Sequence, residues 1–181
     1  MRHRDKIYRW LLLATGLCLC STAFAVEQSP AALRAAYLYQ ITKFASWPPE
    51  LLPAAAPIRT CFVGAEITQI SRIFAESTTQ RLIGGHPLQS DRYEDWLQLR
   101  ASLRQKPCHL VVASGREPGL TRDERRQTLL IGFDMQWLNN GGMLALIQEG
   151  ERININVNRS QLETSTVKLE ARFLRLAKEQ P

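Results

Sequence analysis

Short apolar segments alternate with helix-like segments along most of this chain, and the alternation limits its possible folds more than any other feature. Ile58 to Val63, Cys108 to Ala113 and Thr128 to Phe133 are apolar runs of strand length, separated by amphipathic or charged segments. Such runs are typical of strands buried on both faces of a parallel sheet. The sequence therefore predicts an α/β fold, a mainly parallel sheet flanked by helices on both faces.

A weaker strand and the end of the chain complete the predicted architecture. The short strand from Leu82 to Leu88 contains Pro87, which favours an edge position. Met143 to Ile147 and Ile153 to Val157 flank a Glu149-Gly150 turn and predict a C-terminal hairpin. From Gln161 onward, apolar residues at helical spacing predict a closing helix that packs on the domain.

The first 25 residues have the three parts of a secretory signal peptide. A basic opening precedes the apolar stretch Trp10 to Leu19, and Ala23-Phe24-Ala25 fits a signal peptidase site. The apolar stretch is shorter than a bilayer span, so a retained anchor is the weaker alternative. We predict cleavage after Ala25, a mature protein in the periplasm, and a single α/β domain over residues 26–181.

The charge balance argues against nucleic acid as a partner. The full chain has 23 basic and 17 acidic residues, but residues 1–25 contain four of the basic and one of the acidic ones. The mature chain then has 19 basic and 16 acidic residues, a net charge of +3. The basic character belongs mainly to the signal peptide, and no nucleic-acid partner is expected.

Two cysteines, Cys61 and Cys108, remain in the mature chain. An even count in an oxidising compartment predicts a disulfide. Because both lie at or near the starts of predicted strands, that bond requires the first and third strands to be neighbours. The alternative is a metal site formed by Cys108, His109 and His86, which no recognised ligand spacing supports.

The mature chain has none of the sequence motifs that signal catalysis. It lacks H-E-x-x-H, G-x-S-x-G, P-loop and G-x-G-x-x-G patterns. A hydrolase using His86 or His109 is therefore the weakest reading, and we predict no catalytic residue, no metal and no cofactor. Ser114-Gly115-Arg116 follows the third strand, where open α/β sheets often bind ligands, but a plain surface loop is the simpler interpretation.

Three residues of the first helix are candidates for partner or ligand binding. The helix is predicted to begin with Ser29 as its cap and to end near Trp47. Tyr39, Lys43 and Trp47 recur every four residues on one side of it. Aromatic residues beside a cation suit an interface, and Lys168 is added as a fourth candidate. Trp47 as an anchor of the helix to the core is an equally supported alternative.

Several short motifs resemble the YfiR family in order and approximate spacing. The first is Arg34-Ala35-Ala36-Tyr37-Leu38-Tyr39-Gln40-Ile41-Thr42-Lys43-Phe44-Ala45-Ser46-Trp47-Pro48, which is similar to the family's opening helix. The others are Cys61-Phe62-Val63-Gly64, Cys108-His109-Leu110-Val111-Val112-Ala113-Ser114, Asn140-Gly141-Gly142-Met143, Ile153-Asn154-Ile155-Asn156 and Phe173-Leu174-Arg175-Leu176-Ala177. Each motif is short, but together they span nearly the whole mature chain.

The resemblance implies a periplasmic regulator, expected to be a homodimer. Such a protein binds the periplasmic domain of an inner-membrane diguanylate cyclase, inhibits it and so lowers cyclic-di-GMP signalling and biofilm formation. An outer-membrane lipoprotein that sequesters the regulator is a further expected partner. The alternative is a periplasmic small-molecule sensor acting on a kinase or transporter, with a pocket near Lys43, Trp47 and Lys168.

Overall fold

The computed structural model describes residues 29–115 and 119–180. The predicted signal peptide, residues 1–25, lies outside the described residues, as does Arg116. Within the described ranges, no helix is both long enough and apolar enough to cross a bilayer.

Helices and strands alternate along the chain. The helices are α1 (Pro30–Phe44), α2 (Thr68–Thr78), α3 (Trp96–Leu103), α4 (Arg122–Gln127), α5 (Met135–Asn139), α6 (Arg159–Glu163) and α7 (Ala171–Leu174). The strands are β1 (Ala45–Ser46), β2 (Ile58–Val63), β3 (Leu82–Ile83), β4 (His86–Tyr93), β5 (Leu110–Ala113), β6 (Leu129–Gly132), β7 (Leu144–Glu149), β8 (Arg152–Asn158), β9 (Lys168–Leu169) and β10 (Lys178–Gln180).

Eight of these strands form one mixed sheet in the order β10-β8-β7-β6-β5-β2-β4-β3. The pairs from β7 through β4 are all parallel, and so is β10 with β8. The β7–β8 hairpin and the β3–β4 pair are antiparallel. The predicted α/β class, mainly parallel sheet and C-terminal hairpin are confirmed.

Different helices cover the two faces of the sheet. The β2–α2–β4 crossover runs along the sheet in the direction opposite to β5–α4–β6 and β6–α5–β7. Right-handed crossovers then place α2 on one face and α4 with α5 on the other. Helix α1 packs against α2, and α3 lies beside α5, where Trp96 stacks on Trp137 at 6.3 Å between ring centroids.

The middle of the sheet is the hydrophobic core. Every residue of β2, β5 and β6 is buried, as expected for apolar strands covered on both sides. Gly132 at the end of β6 allows Trp137 of α5 to pack directly on the strand, because a Cβ at this position would overlap the ring of Trp137. The three apolar runs of the sequence are therefore central strands.

The predicted neighbouring of the first and third strands is confirmed. Strand β2 pairs with β5 in parallel, with Cys61 opposite Val111. Cys61 and Cys108 form the expected disulfide, and their Cα atoms are 6.0 Å apart. The alternative metal site does not stand, since the sulfur of Cys108 is bonded to that of Cys61.

The predicted edge strand is longer than the sequence indicated. The Gly84-Gly85 turn separates two antiparallel strands, and the second, β4, extends to Tyr93. Because β4 contains several polar residues, the sequence did not show the alternating pattern of a strand. One of these residues, Asp91, pairs with a buried side chain. Asp91 accepts hydrogen bonds from the buried guanidinium of Arg59, with an N to O distance of 2.7 Å in the ion pair.

The prediction of a continuous closing helix is wrong. After α6 the chain forms β9, the short α7 and β10. Ser165 and Thr166 both donate their hydroxyl groups to the carbonyl of Arg126 at 2.9 Å, and the Thr166 N–H donates to the same oxygen. Serine and threonine that find such partners compete with helical hydrogen bonding, so the helix ends at this point.

Candidate functional site

Three features lie on α1 or next to its end: a cationic aromatic patch, an apolar groove and a buried anchor. The helix starts at Pro30, where the Ser29 side chain accepts the N–H of Ala32 at 3.1 Å. Its buried stripe, which faces the core, consists of Ala31, Ala35, Leu38, Ile41 and Thr42. Several residues on its other sides are exposed to solvent.

The cationic aromatic patch consists of Tyr39, Lys43 and Arg81. The Nζ of Lys43 lies 5.8 Å from the centroid of the Tyr39 ring, and the guanidinium carbon of Arg81 lies 5.2 Å from it. Tyr39 is half-buried, while both cations are exposed. Two cations on one aromatic ring give a positively charged surface that suits an acidic or aromatic partner group.

Arg81 is a member of the patch that the sequence did not reveal. It follows α2 and reaches Tyr39 because α2 packs against α1. No local spacing relates residues 39 and 81, so only the helix packing brings them together. The sequence signal for Tyr39 and Lys43 was the four-residue spacing, which the structure places on one side of the helix.

Trp47 is separated from this patch. Its side chain is 9% exposed and packs edge-on against the ring of His109, with 5.5 Å between the centroids. The indole N–H has no hydrogen-bond partner among the described residues. The location is that of an anchor that joins the end of α1 to the start of β5.

Lys168 lies near the end of α1 although it is 125 residues away from Lys43 in sequence. Strands β1 and β9 pair antiparallel, with Ser46 opposite Lys168 and Ala45 opposite Leu169. Lys168 is exposed and borders a small pocket of about 160 Å³. The walls of this pocket are mostly apolar, from Val157, Leu162, Val167, Leu169 and Leu174, and Arg159 and Glu163 complete them.

The apolar groove lies between α1, β8 and α7 and has a volume of about 290 Å³. Phe44 of α1 stacks on Phe173 of α7 at 5.7 Å between ring centroids, and Leu176 is 75% exposed at the border. The groove is formed by Ala36, Tyr37, Gln40, Phe44, Ile155, Phe173 and Leu176. An exposed apolar groove of this kind is typical of a surface that receives a partner side chain or helix.

His109 is held in its neutral form inside the protein. Its Nδ1 accepts the N–H of Arg59 at 3.0 Å, and its Nε2 lies 3.0 Å from the carbonyl oxygen of Leu51, to which it donates. Burial lowers the pKa of His109, and the charge of Arg59 lowers it further, while the bond to Leu51 acts in the opposite direction. With both ring nitrogens bonded to the backbone, this imidazole is not placed to act as a general base.

His86 is also engaged with the backbone, since its Nδ1 lies 2.8 Å from the carbonyl oxygen of Ala56. At the carboxyl end of the sheet, Ser114 donates a hydrogen bond to Glu66 at 2.9 Å. Hydrogen bonds from the Glu66 backbone and from Ser114 lower the pKa of this carboxyl group. The carboxylate of Glu66 therefore lies beside the loop after β5, where it would repel an anionic ligand.

Comparison with known proteins identifies a family. The family model DUF4154, described as YfiR/HmsC-like, matches residues 31–178, which include nearly all of the helices and strands described above. No curated protein matches this chain.

Proposed function

This chain belongs to the YfiR/HmsC-like family, and on that basis we propose that it is a periplasmic regulator that binds and inhibits an inner-membrane diguanylate cyclase. Binding would lower cyclic-di-GMP signalling. The observation that carries the proposal is the family match over residues 31–178. The exposed apolar and cationic features of α1 support a role in protein binding.

We assign the contact with the cyclase to the apolar groove together with the neighbouring cationic aromatic patch. Interfaces combine an apolar centre with a polar rim, and Leu176 at 75% exposure offers apolar area that folding leaves uncovered. Lys43 and Arg81 would face acidic groups of the cyclase. Homodimer formation and sequestration by an outer-membrane lipoprotein are further proposals from family membership, and neither is assigned to this surface.

Purified mature protein and the periplasmic domain of a membrane diguanylate cyclase from the same host test the contact directly. Leu176→Asp introduces a charge at the border of the groove and is expected to weaken binding at least about tenfold, since a charge buried in an interface needs a partner. Isothermal titration calorimetry measures the dissociation constant.

Leu97→Asp is the matched control, because Leu97 is 77% exposed and belongs to α3 on the opposite face of the sheet. Both variants should unfold at the same denaturant concentration as the wild type. Equal affinity of the wild type and both variants would contradict the assignment of the groove. Failure of the wild type to bind any cyclase domain of its host would contradict the proposed function itself.

The small pocket beside Lys168 favours a second candidate function, that of a small-molecule sensor acting on a kinase or transporter. Its apolar walls with Lys168, Arg159 and Glu163 suit a compact ligand with an apolar body and a charged end. Thermal unfolding in the presence of individual amino acids and short-chain fatty acids tests it. A ligand at one hundred times its dissociation constant should add about 2.7 kcal/mol of stability. No shift with any of these compounds would count against the sensor.

A further inference from the structure

A polar cleft lies between α4 and α6 and has a volume of about 720 Å³. Its walls contain three arginines of α4 and three residues of α6 and the turn after it: Arg122, Arg125, Arg126, Gln161, Glu163 and Thr164. The volume falls within the range of small-molecule sites, roughly 300 to 1,000 Å³. We call this feature the arginine cleft.

Hydrogen bonds hold the walls of the arginine cleft in place, and none of them involves the guanidinium group of Arg122 or Arg126. The carbonyl of Arg126 accepts three hydrogen bonds from Ser165 and Thr166, which fix the turn after α6 against α4. Arg125 donates from its guanidinium to the carbonyl of Gly141 at 3.1 Å. The cleft is therefore formed before any ligand enters, which reduces the entropic cost of binding.

The three arginines of the cleft lie on α4 close enough together to repel one another. Arg122 lies three and four residues before Arg125 and Arg126, so the three cations share one face of a six-residue helix, where like charges repel. Of the two acidic residues of α4, Asp123 and Glu124, Glu124 is occupied in a capping box with Thr121. Within the described part of the chain, the guanidinium groups of Arg122 and Arg126 have no hydrogen-bond or ion-pair partner.

We propose that the arginine cleft binds a small organic or inorganic anion with two or more phosphate or carboxylate groups. Guanidinium groups bind such groups through paired hydrogen bonds. The amide of Gln161 and the hydroxyl of Thr164 add neutral polar contacts. The three arginines and Glu163 together give the cleft a net charge of +2. This site is independent of the proposed cyclase contact.

Pyrophosphate and citrate are the two probes, one for each anion type, and isothermal titration calorimetry of the mature protein at constant ionic strength measures their binding. The double substitution Arg122→Gln with Arg126→Gln should weaken binding of the preferred probe at least about tenfold, because it removes two charge-assisted contacts. Tighter binding of pyrophosphate would identify phosphate as the recognised group, and tighter binding of citrate would identify carboxylate.

The matched control is Arg100→Gln with Arg104→Gln, which removes two exposed arginines with the same four-residue spacing at α3. This control should keep wild-type affinity within about twofold, since unspecific attraction alone would respond to net charge equally in both variants. Equal losses in the two double variants would overturn the proposal. So would the absence of wild-type binding to both probes, or binding of an acidic peptide such as hexaglutamate without binding of either probe.

Discussion

Arg59 and His109 are two buried polar residues that hold loops at the N-terminal edge of the sheet. The Arg59 side chain is 7% exposed, and besides Asp91 it contacts the carbonyls of Lys106 and Pro107 and the hydroxyl of Tyr93. A buried cation of this kind is stable only while its partners are complete. These contacts fix the segment that leads into Cys108 and β5.

Asp91→Asn should lower the free energy of unfolding by about 2 kcal/mol, because it leaves a buried guanidinium without its counter-ion. Urea unfolding followed by tryptophan fluorescence measures the change. Glu76→Gln is the control, since Glu76 and Arg72 form an exposed pair at 4.0 Å. That control should change stability by less than about 0.5 kcal/mol. Equal effects of the two variants would contradict the structural role of Asp91.

His109 predicts a pH dependence of stability. Burial lowers its pKa in the folded state below the value near 6.5 of an unfolded chain. As the pH falls below about 6.5, the unfolded chain takes up the proton first, so stability falls; above that pH both states are neutral and the effect is absent. We expect the free energy of unfolding to rise with pH between about 5 and 7.

The pH prediction is checked by urea unfolding at half-unit pH steps in the wild type and in His109→Gln. The variant should lose most of the slope across this window, because glutamine does not titrate. An identical slope in the two proteins would assign the pH dependence to other groups and contradict the role given to His109.

At the scale of elements, the disulfide joins β2 to the residues just before β5. It closes a loop between positions separated by 47 residues. Replacing both Cys61 and Cys108 by Ala should lower the free energy of unfolding by about 4 kcal/mol, chiefly because the unfolded chain gains conformational entropy without the cross-link. Urea unfolding of the wild type with a reductant should then resemble the variant, whereas the reductant should not affect the variant. Unchanged stability on reduction would contradict this account.

The two ends of the Tyr39–Trp47 segment should respond differently to truncation. Trp47→Ala removes a buried ring and should cost about 3 kcal/mol of stability. Tyr39→Ala on the cationic aromatic patch should cost less than about 1 kcal/mol and yet weaken cyclase binding, because its ring organises the charges of Lys43 and Arg81. Parallel measurements of unfolding and binding separate the roles. A Trp47 variant of wild-type stability would contradict the anchor.

The elements that the sequence predicted well are those whose pattern is set by burial. β2, β5 and β6 are buried throughout because helices cover both faces, and the Cys61–Cys108 bond expected from the cysteine count correctly indicated that β2 and β5 are neighbours. The elements that it missed depend on distant partners. β4 is polar and only partly buried near the edge of the sheet, where its Asp91 pairs with Arg59. The closing helix is broken because Ser165 and Thr166 bond to the carbonyl of Arg126.

The candidate site follows the same division. Helical spacing grouped Tyr39 with Lys43, but neither the contribution of Arg81 nor the pairing of Lys168 with Ser46 has a local signal. Trp47 shares the spacing but lies beyond the last turn of α1, where the chain has become extended and turns its side chain inward. Helical periodicity therefore does not apply to its orientation.

At the scale of the whole molecule, the proposed cyclase contact and the arginine cleft are formed by different elements. The cationic aromatic patch and apolar groove involve α1, and the arginine cleft involves α4 and α6. Regulation of a membrane enzyme requires a surface for that enzyme, and a separate cleft leaves that surface free while an anion is bound. This arrangement is consistent with the regulator proposed from family membership.

The central claim is inhibition of a diguanylate cyclase, and the cellular concentration of cyclic-di-GMP in the native host tests it most directly. Deleting the gene should raise that concentration, and wild-type protein or Leu97→Asp supplied in trans should restore it, while Leu176→Asp should restore it poorly at equal periplasmic abundance. A cyclic-di-GMP concentration that does not change on deletion would contradict the account.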